Sequence, residues 1–190
     1  MDDQAETVFV NLLRGAGLDG LAAMRPGPAH PLLAVRRSQT HALCAAVGLD
    51  PVVDPSNADR RFVRNRIRHE LLPLASAIAG RDLVPVLARQ AGVLADEADL
   101  LDELAADLDP SDATALAAAS GPLARRATRR WLRGPAPHPP DLAAVERVLA
   151  VARGQLGATD VAPGIRVRRR RGTMSSEPVA PEASGSVGAR

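Results

Sequence analysis

The chain is almost free of aromatic residues, which limits the kind of core it can build. Its 190 residues include two phenylalanines, one tryptophan and no tyrosine, so alanine, leucine and valine must supply the core. Alanine and leucine head the scale of helix propensity, but an alanine buries little apolar surface. We therefore predict a largely helical protein with a thin core, long enough for one compact domain or two small ones.

Composition also narrows the class of protein. All 24 basic residues are arginine, because the chain contains no lysine. Cys44 is the single cysteine and lies in an apolar run, so we expect a buried, unreactive thiol without metal-ligand spacing to the four histidines. No apolar run approaches the length of a membrane span and no signal peptide is visible. We therefore expect a cytoplasmic protein without a membrane partner.

An arginine-rich helix is predicted directly after the turn sequence Asp54-Pro-Ser-Asn57. If the helix begins near Arg60, an apolar stripe forms at Val63, Ile67, Leu71 and Leu74. The opposite side then carries Arg61, Arg64, Asn65 and Arg68. Guanidinium groups gathered in this way suit phosphate oxygens. The alternative is that the arginines pair with acids elsewhere in the fold, and both interpretations stay open.

The chain opens with an acidic helix, Met1-Asp-Asp-Gln-Ala-Glu-Thr7, predicted to continue to Arg14 and to end at Gly15. Asp3, Glu6 and Thr7 would share one face of it. Acids in a first turn interact favourably with the positive end of a helix, and this capping role is the favoured interpretation. The alternative is that the carboxylates hold a magnesium ion beside a polar substrate.

Five segments, taken in order, resemble the tRNA(Ile)-lysidine synthetase family. They are Asp2-Asp-Gln-Ala-Glu-Thr7, Leu13-Arg-Gly-Ala-Gly-Leu-Asp-Gly-Leu21, His30-Pro-Leu-Leu33, Asp54-Pro-Ser-Asn57, and Arg64-Asn-Arg-Ile-Arg68 with Leu71-Leu-Pro73. The resemblance is strong over residues 2–75 and looser to about residue 172. Family members are PP-loop, or N-type, ATP pyrophosphatases that adenylate the C2 oxygen of the wobble cytidine in an isoleucine tRNA with a CAU anticodon. The amine of free lysine then displaces AMP.

The resemblance implies a site formed by the first helix and the arginine-rich helix. It assigns catalytic roles to Asp2, Asp3, Glu6, Arg64 and Arg68. It assigns substrate or cofactor binding to Thr7, Arg14, Asn57 and Asn65. The implied cofactor is ATP with Mg²⁺, the metal being held at Asp2 and Asp3. The implied partners are isoleucine tRNA and free lysine, and a homodimer is left open.

One departure from the family bears on activity. These residues contain no Ser-Gly-Gly-x-Asp-Ser loop, which cradles the ATP pyrophosphate in the family, and no histidine shortly before Asp2. We therefore expect an α/β remnant of a PP-loop ATPase domain, through a mis-set start or a true truncation, that is inactive alone. A non-catalytic tRNA- or RNA-binding remnant is the alternative function. A decayed fragment that never folds is a third.

The remainder of the chain is predicted to be mostly helical. We place the C-terminal part of the PP-loop domain at residues 1–80, a connecting helix at 81–110, a small helical tRNA-binding domain with a basic β-hairpin at 111–174, and a disordered tail at 175–190. Within these bounds we expect a strand at 30–35, a helix capped by Ser38 and ended by Gly48, and a long helix over 82–108 with a leucine stripe. A Pro-rich loop covers 134–140, and Pro163-Gly164 forms the hairpin turn.

The small domain reverses the local charge. Between Ser120 and Arg171, twelve arginines face three acids. A nucleic-acid backbone is the natural partner of such a surface. The candidates for tRNA binding are Arg126, Arg129, Arg130, Arg133, Arg168 and Arg170. The alternative is that these arginines pair with the acidic stretch at residues 96–112.

Overall fold

A computed structural model describes residues 1–52, 54–133, 140–162 and 164–178. The chain divides into two compact units, Met1–Asp99 and Leu100–Arg190. Each unit has its own cluster of buried apolar side chains. The domain bounds predicted at residues 80 and 110 remain a prediction.

The described part of the first unit is helical, with turns between the helices. Its helices are α1 (Asp2–Leu13), α2 (Leu18–Leu21), α3 (Arg37–Ala46), α4 (Val63–Arg66) and α5 (Leu72–Ala79), followed by the first part of α6 (Val84–Ala106). A π-turn at Ile67–Leu71 joins α4 to α5, and a 3-10 turn covers Pro55–Ala58. No strand occurs among the described residues of this unit, so the expected α/β character does not appear there.

A small apolar cluster joins α1 to the arginine-rich segment. Ala5 of α1 is fully buried and packs with Ile67, Leu72 and Val84. Val63 and Leu74, predicted on the same stripe as Ile67, are more than half exposed. Leu74 departs from the stripe because the widened π-turn changes the angular spacing of the side chains that follow it. Val63 precedes the π-turn and is the first residue of α4.

Two local predictions for the segment before α3 are wrong. Residues 30–35 form successive turns rather than a strand, with Leu33 N–H donating to His30 O and Val35 N–H to Leu32 O. Helix α3 begins at Arg37, and the Gln39 side chain accepts from the Arg36 N–H, so Ser38 is not its cap. Cys44 is half-buried on this helix, so the expectation of a fully buried thiol is wrong. Gly48 follows the helix with a φ of 71°, as the predicted helix end requires.

The long helix α6 confirms the predicted helix but buries different residues. Its closely packed positions are alanines, whereas Leu100 and Leu104 are more than half exposed. The buried residues recur at spacings of three, four and seven: Val84, Ala91, Ala95, Ala98 and Ala105. Small side chains on this stripe allow close approach of neighbouring elements, which the leucine pattern did not indicate.

The second unit contains the larger core. Helices α7 (Ala113–Ala118), α8 (Gly121–Leu132) and α9 (Leu142–Ala152) precede strands β1 (Ala158–Ala162), β2 (Ile165–Arg170) and β3 (Thr173–Pro178). The core combines aliphatic side chains from all three helices with β2 and β3, and Trp131 packs against it. Helices α8 and α9 agree with the expectation that this part of the chain is mostly helical. The Pro-rich loop at 134–139 lies outside the described residues.

The predicted hairpin is part of a three-stranded antiparallel sheet in the order β1-β2-β3. Strand β2 pairs with β1 through Thr159 opposite Val167, and with β3 through Arg169 opposite Met174. Ser175 to Pro178 belong to β3, so the tail predicted from residue 175 is wrong over those four residues. Burial of Met174 in the core holds the strand in place despite its polar composition. Residues 179–190, and Pro163 in the predicted turn, lie outside the described residues.

Among the described residues, no single helix is both long and apolar enough to cross a bilayer. The segments Val63–Ala79 and Val84–Ala106 meet the length and composition limits only as a pair, with a bend of 95° between them.

Candidate active site: a buried glutamate held by two arginines

Helix α1 carries a buried carboxylate. Its apolar residues Ala5 and Val8 pack inward, and Glu6 lies beside them with a side chain only 1% exposed. A buried carboxylate needs charged hydrogen-bond donors, because desolvation otherwise costs several kcal/mol. Glu6 obtains these donors from the arginine-rich segment, 58 and 62 residues further along the chain.

Two arginines bind the two oxygens of Glu6. Arg64 Nε donates to Glu6 Oε2 at 2.8 Å. Arg68 is bidentate, with Nε donating to Oε1 at 2.7 Å and Nη2 to Oε2 at 2.9 Å. Such fork-shaped pairing is stronger and more directional than a single ion pair. Glu6 therefore fixes the orientation of both guanidinium groups.

The other acids of α1 extend this cluster to the segment before α3. Asp3 forms an ion pair with Arg37 at 2.8 Å and lies 3.5 Å from Arg64 Nη2. Asp2 Oδ2 accepts from the backbone N–H of Arg37, the first residue of α3, at 2.8 Å. Asp2 thus stabilises the start of a different helix from its own, where the positive end of the helix dipole favours an anion.

The charges of this cluster shift the pKa values of its members. Burial alone would raise the pKa of Glu6, but the hydrogen bonds from Arg68 and Arg64 outweigh it and lower the pKa below its ordinary value. The bond to Glu6 raises the pKa of Arg68. Glu6 is therefore an anion at neutral pH and does not serve as a proton donor there.

The arginine Arg68 lies in the π-turn at Ile67–Leu71. Pro73 follows and has no N–H to offer the carbonyl four residues before it, which disfavours a regular helix at this point. Single π-turns within helices occur frequently at functional sites. Here the π-turn positions Arg68 toward α1 while Ile67 remains in the core.

A polar cavity of about 230 Å³ adjoins the cluster. Its walls carry both charges, with Asp2, Glu6 and Asp82 facing Arg36, Arg37 and Arg68. Arg36 spans the cavity wall, because it lies 2.5 Å from Asp82 and 3.3 Å from Asp2. Arg36, Arg37 and Asp82 were missed in the sequence, since nothing local indicates that Asp2 and Asp82 meet at Arg36.

Asn65 is placed differently from its prediction. It is buried rather than projecting from the solvent side of the helix, and its Nδ2 donates to Ser56 O at 2.7 Å and Asp59 O at 2.9 Å. The Asp54-Pro-Ser-Asn57 turn is thereby attached to α4. Asp54 Oδ1 in turn accepts from Ser56 N–H. Asn65 thus organises the turn through backbone carbonyls, while Asn57 is exposed.

Of the predicted site residues in the first unit, the structure brings together Asp2, Asp3, Glu6, Arg64 and Arg68. Thr7 is one turn from Asp3 and donates its hydroxyl to the Asp3 carbonyl at 2.7 Å. Arg14, at the far end of α1, is exposed and forms no contact with the cluster. Arg64 and Arg68 pair with acids of α1, as the alternative interpretation of the arginine-rich helix predicted.

The carboxylates predicted to hold a magnesium ion are those of Asp2 and Asp3. Among the described residues, no group of three or more His, Cys, Asp or Glu side chains is arranged to hold a metal. Mg²⁺ is commonly held by one or two carboxylates together with substrate phosphates. Asp3, with a side chain 55% exposed, fits that arrangement better than Asp2, whose side chain is 21% exposed and already accepts from α3.

The predicted tRNA-binding arginines of the second unit fall into three groups. Arg126 pairs with Asp102 at 2.8 Å, Arg130 donates to the carbonyl of Ala105 at the end of α6, and Arg168 pairs with Glu177. Arg133 and Arg170 are exposed. Arg129 is partly buried, and its Nε has no hydrogen-bond partner among the described residues. Pairing with the acidic stretch is therefore confirmed for Arg126.

Part of the chain matches a known protein family. Residues 1–75 match the family model described as a PP-loop domain, and the cluster around Glu6 lies within the matched residues. The chain is also similar, over most of its length, to proteins named tRNA(Ile)-lysidine synthase. It is 40% identical to that of Nocardia farcinica, over 92% of this chain and 60% of the relative. For Cutibacterium acnes the identity is 39%, over 91% of this chain and 57% of the relative.

A third relative, from Mycolicibacterium paratuberculosis, is 44% identical over 70% of this chain and 44% of its own length. The predicted resemblance to the tRNA(Ile)-lysidine synthetase family is therefore confirmed. The chain spans about half of the length of the curated relatives it matches, from 44% to 60%.

Proposed function

We propose that this chain forms part of an ATP-dependent carbon–nitrogen ligase that acts as a tRNA(Ile)-lysidine synthetase in the cytoplasm. The observation that carries the proposal is the cluster around Glu6. Two of the segments that resemble the family, Asp2–Thr7 and Arg64–Arg68, lie far apart in the sequence and meet there. The similarity of most of the chain to proteins of that name supports it.

In the proposed reaction, ATP adenylates the C2 oxygen of the wobble cytidine and releases pyrophosphate. The amine of free lysine then forms a bond to C2 as the C2–O bond breaks and AMP leaves. Charge develops on phosphate oxygens in both steps. Guanidinium groups oriented in advance stabilise such charge without reorganising during the reaction.

The cluster provides groups suited to these steps. Glu6 occupies Nε of Arg64 and two donors of Arg68, and Arg64 Nη2 donates to Asp3 O at 3.3 Å. The N–H groups of Arg64 Nη1 remain for a ligand, on a side chain that is 45% exposed. We assign these donors to a phosphate or to the lysine carboxylate. Asp3, the most exposed acid of the cluster, is assigned to Mg²⁺ or to the lysine amine. Thr7 and Asn57 are assigned to the rim of this site, and Arg14, outside the cluster, is the weakest of the assigned binding residues.

The first experiment reads the DNA upstream of Met1 in the same frame. An open frame encoding Ser-Gly-Gly-x-Asp-Ser and a histidine before Asp2 supports the ligase. The protein from that frame should then incorporate labelled lysine into isoleucine tRNA only when ATP is present, and Arg64→Ala should abolish incorporation. A stop codon directly upstream would contradict the ligase proposal.

The alternative function is RNA binding without catalysis. It is favoured by the arginine surplus between Ser120 and Arg171. This function predicts tRNA binding that weakens with salt and does not depend on ATP. A binding measurement on the 190-residue chain, with and without ATP, tests it. Absence of tRNA binding would exclude this alternative.

A further inference from the structure

The turn between β2 and β3 holds an arginine in an unfavourable backbone conformation. Arg170 pairs with Thr173, so Arg171 and Gly172 form a two-residue turn. Their φ values are 49° and 85°, and positive φ at both central residues is the requirement of a type I′ turn. Asparagine and glycine are preferred at the first of these positions. An arginine there is strained, because its Cβ approaches the following carbonyl oxygen.

Tertiary hydrogen bonds hold this turn in place. Ala113 N–H donates to Gly172 O at 2.9 Å, and Met174 N–H donates to Ser111 O at 2.7 Å. Met174 is 2% exposed and belongs to the core of the second unit. A strained conformation persists only where the surrounding structure determines it more strongly than the residue does, and it often has a functional reason.

The arginines of β2 differ in whether they have partners. Arg166 pairs with Asp160, Arg168 pairs with Glu177, and Arg169 donates to Ala152 O at the end of α9. Arg170 and Arg171, at the turn, are exposed and have no ion pair or side-chain hydrogen bond within the described parts of the chain. The arginines along the strand are thus partnered, whereas Arg170 at its end and Arg171 in the turn are exposed.

We propose that Arg171, together with Arg170, is a preoriented contact to the phosphate backbone of RNA. Among the described residues Arg171 forms no ion pair or side-chain hydrogen bond that would offset the strain of its positive φ, so we assign its contribution to binding. Guanidinium forks match phosphate oxygens, and phosphate contacts position an RNA without reading its bases. The inference rests on the proposed function for the identity of the RNA as tRNA.

The test compares three variants of the full chain, using thermal unfolding and tRNA binding over a range of salt concentrations. Arg171→Asn places the preferred Asn-Gly pair in the turn, so the Tm should rise by about 1–4 °C. The same variant should bind tRNA roughly 3–10-fold more weakly, and the slope of log affinity against log salt should fall by about one. Arg171→Lys should keep most of the affinity and leave the Tm unchanged.

The matched control is Arg81→Asn, because Arg81 is also exposed but belongs neither to the cluster around Glu6 nor to the arginines assigned to tRNA binding, so we expect no change in affinity. Binding is measured with isoleucine tRNA and with a tRNA of another specificity, since a phosphate contact should affect both equally. If Arg171→Asn leaves both affinities unchanged, the inference is overturned, even where the wild-type chain binds tRNA. It is equally overturned if the wild-type chain binds neither. If the wild-type chain binds both tRNAs equally and Arg171→Asn weakens both, the inference is supported. That result would count against a ligase specific for isoleucine tRNA.

Discussion

Glu6 is the residue on which the site of the first unit depends. Its carboxylate lies in the interior and binds two arginines that come from a distant part of the chain. Replacing it by Gln removes the charge and leaves both guanidinium groups without a full acceptor. Loss of one partner of a buried pair costs about 3–5 kcal/mol, and we expect about 2–4 because Arg64 is 45% exposed. Urea unfolding of Glu6→Gln measures this change in the free energy of unfolding.

Asp3→Asn is the matched control, since Asp3 interacts with Arg37, Arg64 and Arg68 from a position that is 55% exposed. Ion pairs at the surface contribute about 0–1 kcal/mol. If both variants lose equal stability, burial of Glu6 does not account for the contribution of its ion pairs to the free energy of unfolding.

The lowered pKa of Glu6 predicts a particular dependence of stability on pH. A carboxyl whose pKa is lower in the folded chain stabilises the fold at pH values above its unfolded pKa, about 4.3. This contribution is lost as the pH falls through the lowered pKa. The wild-type free energy of unfolding should therefore decrease more between pH 5 and pH 3 than that of Glu6→Gln. Parallel pH profiles for the two proteins would contradict this prediction.

At the scale of elements, Asn65 joins a turn to a helix. Its buried amide donates to two carbonyls of the segment between Ser56 and Asp59. Asn65→Ala leaves those carbonyls without their donor and should lower the free energy of unfolding by about 1–3 kcal/mol. It should also accelerate amide exchange at Asn57 and Asp59, whose N–H groups are bonded within this turn. Hydrogen exchange measured by NMR checks both residues.

Asn57→Ala provides the control within the same turn, because the Asn57 side chain is exposed. Its effect on stability should stay within about 0.5 kcal/mol. A loss of substrate binding without loss of stability in Asn57→Ala would support its assignment to the site. An equal loss of stability in both variants would show that the turn is held by other contacts.

At the scale of the whole molecule, we expect some arginines to stabilise the fold and others to bind a nucleic-acid partner. The chain has a net charge of +2, but twelve arginines against three acids lie between Ser120 and Arg171. Arg133→Ala with Arg170→Ala should lower the salt slope of tRNA binding by about two, with little effect on stability. Arg126→Ala should instead lower the free energy of unfolding by about 1–2 kcal/mol, since Arg126 is only 12% exposed and pairs with Asp102. Binding titrations at several salt concentrations and urea unfolding measure the two effects. If both sets of variants changed tRNA binding and stability alike, the distinction between binding and structural arginines would be wrong.

The sequence by itself determined the features that depend on neighbouring residues. The abundance of alanine and leucine indicated a helical chain, and glycines marked the ends of helices at Gly15 and Gly48, both of which have positive φ. The family resemblance was also visible in the residues. These predictions succeed because helix propensity, capping and motif identity are local properties.

Only the tertiary structure decided which charges meet and which polar segments are buried. Glu6 reaches Arg64 and Arg68 across about sixty residues, and Asn65 turns inward because a nearby turn offers carbonyls. Strand β3 forms from polar residues because β2 offers paired backbone groups and the core accepts Met174. Partners of this kind are set by packing between distant segments. Neither periodicity nor composition carries information about that packing, because the sequence does not show which arginines form ion pairs within the fold and which remain exposed.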